Sequence, residues 1–480
     1  MHITQTDPVY VRFNDLTEDE IDSLRHSLAY KNLSFQYMYL KAKKNVWAYR
    51  KNPDWHQYVE GLKAKIKQNA FLEDENGFYT YSGLVDFLRG RSQYKFSFED
   101  KVKYPKFRNL PYALRYEPKI PYKHQVEAVD AFLQHKHAAI RLPTGSGKST
   151  ILENLIKQTG LSTLLMVPTT NIFDQMYEQM VAAFGKKYVG RYGAGKKEYK
   201  KHIVIGIGAS LTNLEPGEEA YEALSKKEMF LIDEAHLVAA DTLSRVGLGL
   251  TKSIPYRYSV SATPERGDGR DMLLEGLIGP VVYEKLYREL VKEGVLAQLE
   301  FVVFNCESEA SYDGGNSKKN SQEHCLYNKN IIKMAALLSN AIVKSANENV
   351  LILIEEKEQL DYLKPFLNIP HDFAHAKSKK SQQVKDFNAG KITCLVGTSA
   401  VAVGSDFKGL LNLIFLMSGK SSTKVKQAIG RATRITPTKT KAIIYDFSVT
   451  NDKQSQRHFQ ERLKIYDEYS DEITFKGQFV

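Results

Sequence analysis

The chain has 480 residues, more than one hydrophobic core usually serves, so two or three domains are expected. A hydrophobic content of 42% with 26% charged residues fits a globular chain and leaves little room for extended disorder. The formal net charge of +11 suits a polyanionic partner, nucleic acid before membrane.

No apolar run approaches the roughly 20 residues of a membrane span, and MHITQTDPVY lacks the pattern of a secretory signal. The three cysteines, Cys306, Cys325 and Cys394, form no CxxC pair. Reduced thiols, no disulfide partner and a cytoplasmic setting are expected. For a phage-encoded chain that setting is the host cell cytoplasm.

Residues 1–115 are rich in Tyr, Phe and Lys and read as a small basic domain. Thr17 with Glu20 three positions on makes a capping box, and Ile21, Leu24 and Leu28 fall on one face of the helix it opens. Between 31 and 67, nine basic residues, among them Lys41, Lys43 and Lys44, meet only Asp54 and Glu60. Tyr37, Tyr39, Trp47, Tyr49, Trp55 and Tyr58 are interleaved with them. The lysines can neutralise phosphates, and the rings can stack on bases or form the domain's own core. Both uses of the aromatics are open at this stage. The proline-containing stretch around Pro111, Pro118 and Pro121 reads as a linker.

From residue 119 the pattern changes. HAAIRL, STLLMV, HIVIGIG, EMFLID and YRYSVSAT are short apolar strands, several separated by helical stretches such as STILENLIKQTG. This alternation predicts an α/β domain over 119–285, a parallel sheet with helices on both faces. YEKLYRELVKEGVLAQ is expected as a helix and hinge. EFVVFN, NVLILI, ITCLVGTS, LNLIFLM and KAIIYDF predict a second α/β domain over 300–450, and 451–480 is expected as a helical tail.

LPTGSGKST, Leu142–Thr150, follows a strand and opens a helix. Gly145 and Gly147 let the backbone wrap so that N–H groups point at phosphate oxygens, helped by the helix N-terminus. Pro143, Thr144 and Ser146 complete the loop. Lys148 is placed to reach the β/γ-phosphates of ATP and Ser149 to ligate Mg²⁺. Leu142 stands where the strict pattern has Gly, so this is a variant P-loop. EMFLIDEAHLV ends an apolar strand on an acidic pair. Asp233 is the second expected Mg²⁺ ligand, and Glu234 the general base for the attacking water.

Asp233-Glu234-Ala235-His236, with PTGSGKS upstream and Ser261-Ala262-Thr263 downstream, resembles the superfamily 2 helicases and translocases. SATPERGDGRDMLLEGLIGPVVYE and LVKEGVLAQ resemble the branch with phage UvsW-like helicases and XPB-like translocases. The resemblance covers most of 119–450 and implies two RecA-like domains in tandem behind a small N-terminal domain. It implies that Gln125 reads adenine, that Pro168, Thr169, Thr170, Ser210 and Thr398 touch the nucleic-acid backbone, and that Ser261, Ala262 and Thr263 couple hydrolysis to movement. Thr398 to Asp406 matches a further nucleotide-site motif. Gln427 to Arg434 matches the motif whose Arg431 and Arg434 act as arginine fingers, with Gln427 beside them. Ala428 stands where many relatives carry Arg.

The function implied is an ATP-dependent, Mg²⁺-requiring DNA helicase or translocase that remodels branched DNA, with DNA as partner; a monomer is compatible with it. An RNA helicase of the same superfamily, a restriction-enzyme motor and a binding protein with a vestigial ATPase are the competing readings.

Overall fold

The computed structural model describes residues 1–44, 54–110, 121–262, 269–311, 316–375, 380–398, 401, 407, 409–419 and 422–477. The chain divides into two compact units, residues 1–142 with 148–284, and 143–147 with 285–480.

The first unit begins with seven strands: β1 (His2–Gln5), β2 (Tyr10–Asn14), β3 (Ala29–Lys31), β4 (Lys67–Asn69), β5 (Leu72–Asp74), β6 (Gly77–Tyr81) and β7 (Ser97–Asp100). Five of them form a sheet in the order β5-β6-β2-β1-β7, and β3 pairs with β4. The expected capping box is present: Glu20 N–H donates to Thr17 Oγ1 (3.3 Å) and Thr17 N–H to Glu20 Oε2 (3.0 Å). Two helices, Leu33–Lys44 and Trp55–Ala64, are inserted between β3 and β4. Pro111 and Pro118 of the expected linker, and Trp47 and Tyr49, lie outside the described residues.

Eight further strands follow: β8 (His137–Arg141), β9 (Thr163–Val167), β10 (Val189–Gly193), β11 (Lys196–Lys197), β12 (Ile203–Ile207), β13 (Met229–Asp233), β14 (Tyr256–Ser261) and β15 (Val281–Glu284). They form one sheet in the order β11-β10-β12-β9-β13-β14-β8-β15, parallel except for the β10–β11 pair. The five expected strands are β8, β9, β12, β13 and β14. Their interior positions are buried on both faces, which is why they read as unbroken apolar runs.

Alternate residues of these strands feed two cores. Ile140, Leu165, Ile205 and Val260 pack beneath the helices Lys123–Leu133, Lys148–Thr159 and Thr170–Phe184. Leu164, Met166, Val204 and Phe230 join a different cluster, which continues through Leu273 and Leu274 to Ile3, Val11, Leu84 and Leu88. The N-terminal sheet and the parallel sheet therefore share one core. Gly83 marks how close the contact is, since a Cβ there would stand 2.1 Å from the Glu275 carbonyl oxygen.

The second unit carries β16 (Gln298–Cys306), β17 (Val350–Ile354), β18 (His371–Ala374), β19 (Cys394–Thr398), β20 (Asn412–Leu416), β21 (Lys441–Val449) and β22 (Ile473–Lys476). They form an all-parallel sheet in the order β18-β19-β17-β20-β21-β16-β22. Five of these strands are the expected ones; β18 and β22 are additional.

Two expectations need correction. The long helix over YEKLYRELVKEGVLAQ is confined to Tyr287–Lys292, because Val281–Glu284 pairs with β8 and Glu289 caps a new helix at the Leu286 N–H. The C-terminal segment is only partly helical: after the helix Lys453–Tyr466, β22 adds to the sheet beside β16. That helix is fixed by a buried group in which Arg462 Nε donates to Asp446 Oδ2 (2.8 Å) and the Tyr466 hydroxyl to the same oxygen (2.6 Å). All three cysteines are free thiols. Among the described residues no helix is long and apolar enough to cross a membrane.

Candidate nucleotide site

The site grows from the C-terminal ends of β8, β13 and β14, where open parallel sheets place their ligands. After β8 the chain turns through Leu142–Gly147 into the helix Lys148–Thr159. Gly145 (φ +93°) and Gly147 (φ +84°) adopt backbone conformations that side chains disfavour. The loop runs into the start of a helix, where backbone N–H groups and the helix dipole favour an anion. The Leu142 N–H donates to the Ser261 carbonyl (2.9 Å), tying the start of the loop to the end of β14.

Lys148 is 8% exposed, its Nζ 3.4 Å from the Leu142 carbonyl and 3.1 Å from Glu234 Oε1. Asp233, the last residue of β13, is buried; desolvation and the neighbouring Glu234 push its carboxyl up to about 7, against the pull of Lys148. Glu234 leaves the strand in the left-handed region (φ +50°), and its N–H donates to the Val260 carbonyl (3.0 Å). A non-glycine residue held there is a strained conformation of the kind that clusters at functional sites. That turn brings its carboxylate back over Lys148. Lys148, Asp233, Glu234 and Ser261 are thus gathered at one strand-end cluster, with Ser149 on the first turn of the helix.

The other expected residues fall as follows. Gln125 is buried on the helix Lys123–Leu133, and its Oε1 accepts from the Tyr122 N–H (3.1 Å), capping that helix. Pro168, Thr169 and Thr170 follow β9; Thr169 Oγ1 accepts from Ile172 N–H (3.5 Å) as an N-cap. Ser210 lies in the short helix Gly208–Leu211 after β12. Ala262 follows β14, and Thr263 lies outside the described residues. Lys41, Lys43 and Lys44 are exposed at the end of the helix Leu33–Lys44.

In the second unit, Thr398 closes β19, while Asp406 lies outside the described residues. Gln427 is on the helix Ser422–Ile429, with Arg431 and Arg434 just beyond its end. The backbone of Arg434 bridges to Leu296. Lys439 is buried under this segment and donates to the Ala432 carbonyl (2.5 Å); burial, with Arg434 close by, lowers its ammonium to about 8.

Sequence reasoning passed over Arg257. It is fully buried in β14, and its guanidinium donates to the carbonyls of Leu277 (2.7 Å), Thr251 (2.6 Å) and Gly247 (3.2 Å). It thereby pins the strand leading to Ser261 against the helix Asp271–Ile278. The available signal was an arginine inside an otherwise apolar strand.

Two family descriptions match the chain: "Type III restriction enzyme, res subunit" over residues 119–266 and "Helicase conserved C-terminal domain" over 332–436. The chain is 29% identical over 272 residues to the DNA 3'-5' translocase XPB2 of Sulfurisphaera tokodaii, covering 54% of this chain and 59% of that protein. It is 21% identical over 345 residues to the ATP-dependent DNA helicase uvsW of Enterobacteria phage T4, covering 68% of each. The chain belongs to helicase superfamily 2. It is related to the UvsW and XPB branch of that superfamily, and it spans less than two thirds of the length of the XPB2 relative.

Solved structures agree on the fold. The Saccharomyces cerevisiae Dbp5 bound to RNA and ADP BeF3 matches 75% of this chain and 90% of its own, with a TM-score of 0.53 at 17% identity. The Type ISP restriction-modification enzyme LlaBIII bound to DNA matches 76% of this chain and 32% of its own, with a TM-score of 0.57 at 13% identity. The two parallel sheets of this superfamily 2 protein are accordingly RecA-like.

Proposed function

We propose that this protein is an ATP-dependent DNA helicase or translocase that remodels branched DNA, with Mg²⁺ as cofactor. The observation that carries the reading is the buried Lys148–Glu234–Asp233 cluster, set at strand ends beside a glycine-formed loop at a helix N-terminus. The residues fit a magnesium nucleotide. Gly145 and Gly147 carry no side chain at two positions of the loop, and Ser149 and Asp233 are the hard oxygen donors that Mg²⁺ takes. ATP supplies the phosphoanhydride bond whose hydrolysis drives movement, and Mg²⁺ neutralises phosphate charge.

In this reading Lys148 Nζ exchanges its carboxylate partner for phosphate oxygen, which frees Glu234 to take a proton from water. Arg431 and Arg434 stabilise charge on the terminal phosphate, Gln427 lies beside them, and Gln125 contacts adenine. Ser261, Ala262 and Thr263 pass the change at the nucleotide to the DNA-contacting Pro168, Thr169, Thr170, Ser210 and Thr398. Such backbone contacts make movement largely independent of sequence. The relatives' names, a DNA translocase and a DNA helicase, support DNA over RNA as the track. Residues 1–115, with Lys41, Lys43 and Lys44 exposed, are assigned the choice of branched DNA.

The test is ATP turnover with single-stranded, duplex, forked and four-way-junction DNA and with RNA, beside nucleotide affinity of Glu234→Gln. Turnover stimulated most by branched DNA, and an E234Q variant that binds Mg-ATP without hydrolysing it, are expected. Stimulation by RNA above every DNA would favour the RNA helicase reading, and an ATPase indifferent to any nucleic acid would remove the motor.

A further inference from the structure

The helix Leu33–Lys44 carries apolar residues on two faces. Phe35, Tyr39 and Ala42 recur at helical spacing on the half-buried and buried side. Leu33, Tyr37 and Leu40 recur on another, at i, i+4 and i+7, and they are 43%, 68% and 48% exposed. Lys41 and Lys44 continue that stripe at i+8 and i+11, both exposed. On the neighbouring helix Tyr58 is also exposed. A run of open apolar side chains on so small an element marks a contact surface rather than a core.

Charge and place indicate the occupant. In the described parts of 31–67, Lys31, Lys41, Lys43, Lys44, Lys63, Lys65 and Lys67 stand against Asp54 and Glu60, and Glu60 is itself 3.5 Å from Lys63. An acidic polymer complements this surface, and one with flat apolar faces complements its aromatic stripe as well. Unpaired nucleotides meet both conditions. The stripe begins beside Gly269 (φ +73°), which passes so close that a Cβ would stand 2.6 Å from the Lys31 carbonyl oxygen and 2.9 Å from Leu33 Cγ.

We propose that Leu33, Tyr37 and Leu40, bordered by Lys41 and Lys44, form a seat for unpaired bases at a DNA branch point. Tyr37 stacks on an exposed base and the two lysines hold the phosphates beside it. This rests on the DNA-remodelling reading above.

The experiment uses the full chain and a fork whose first unpaired base is 2-aminopurine, with blunt duplex as reference. Tyr37→Ala is expected to lower fork affinity about 5- to 150-fold, the loss of one base–aromatic stack, with duplex affinity kept. It should also restore the 2-aminopurine fluorescence that the wild type quenches, while Tyr37→Trp keeps both. Lys41→Ala with Lys44→Ala should weaken fork and duplex alike and make the log–log salt slope shallower by about 1.8. A Tyr37→Ala variant with unchanged fork preference and unchanged quenching overturns the seat. So does one that alters sedimentation but not DNA binding, which would make the stripe a face for a second copy. If no DNA stimulates wild-type ATP turnover, it is the motor reading that fails, a result separable from either.

Discussion

Lys148 Nζ lies 3.1 Å from Glu234 Oε1, so the lysine proposed to meet phosphate is held by the carboxylate proposed to activate water. The pair sits in a closed setting, with Lys148 8% exposed. An isolated buried charge would be costly, and the pairing gives each group a partner of opposite sign.

Lys148→Ala is therefore expected to do two things. It removes the cation proposed to face the transferred phosphate, at an expected cost on the order of 10²–10³ in turnover or more. It also leaves Asp233 and Glu234 adjacent without a cation, which raises the Asp233 carboxyl above its already elevated position and weakens Mg²⁺ affinity. Steady-state ATPase and Mg²⁺ titration check both, and half-retained activity would dismiss the P-loop assignment.

Gly83→Ala tests the joint between the N-terminal sheet and the parallel sheet. The added methyl would meet three backbone atoms, the Glu275 oxygen at 2.1 Å, the Gly276 oxygen at 2.8 Å and the Gly279 nitrogen at 2.9 Å. None is a flexible side-chain end, so the element must shift, at about 1–3 kcal/mol. Differential scanning calorimetry should show the unit of residues 1–142 and 148–284 melting several degrees lower. Turnover of the folded fraction should be unchanged.

Acid sensitivity should trace in part to His137. Its ring lies between Ser82 Oγ (3.1 Å) and the Pro255 carbonyl (3.0 Å), and desolvation, with Arg257 nearby, pushes it down to about 3. Below about 6.5 the unfolded chain takes up a proton that the folded one refuses. The stabilisation is thus complete above that pH and is lost as pH falls towards 3, by at most about 1.4 kcal/mol per unit. Thermal melts of wild type between pH 7 and 5 should be steeper in pH than those of His137→Gln; equal slopes would assign the sensitivity elsewhere.

Arg462→Ala should destabilise the second unit by about 3–5 kcal/mol, because it orphans the buried Asp446. Adding Asp446→Asn should recover part of that loss by removing the unpaired charge. Urea unfolding of the two variants checks the order, and an Arg462→Ala variant as stable as wild type would make the group incidental.

Most of the two parallel-sheet units was legible because their patterns are local. Strands such as Ile203–Ile207 and Val350–Ile354 are buried on both faces and read as unbroken apolar runs, and the Gly145–Lys148 turn carries its conformation in its glycines. What escaped was set by tertiary surroundings. β10 contains Gly190 and Arg191 and takes its place from β12. β22 is a sheet edge with Thr474, Phe475 and Lys476 exposed, so no apolar run announces it. Arg257 donates to the carbonyls of Gly247, Thr251 and Leu277, and only the fold brings Leu277, twenty residues on, back beside it. The helix Leu33–Lys44 is apolar on two sides, and only the fold shows that one of them faces water.

The core running from Ile3 through Leu88 and Leu273 to Phe230 has a consequence for ancestry and for engineering. A front piece that shares its interior with the parallel sheet cannot be traded between lineages as a cassette, because a substitute would have to reproduce the underside of the helix Asp271–Ile278. Variation in the first hundred residues is then constrained on one side by the parallel-sheet domain it covers and open on the other. Diversity among descendants should gather on the outward faces of Leu33–Lys44 and Trp55–Ala64, while Tyr81, Gly83 and Gly276 drift only together.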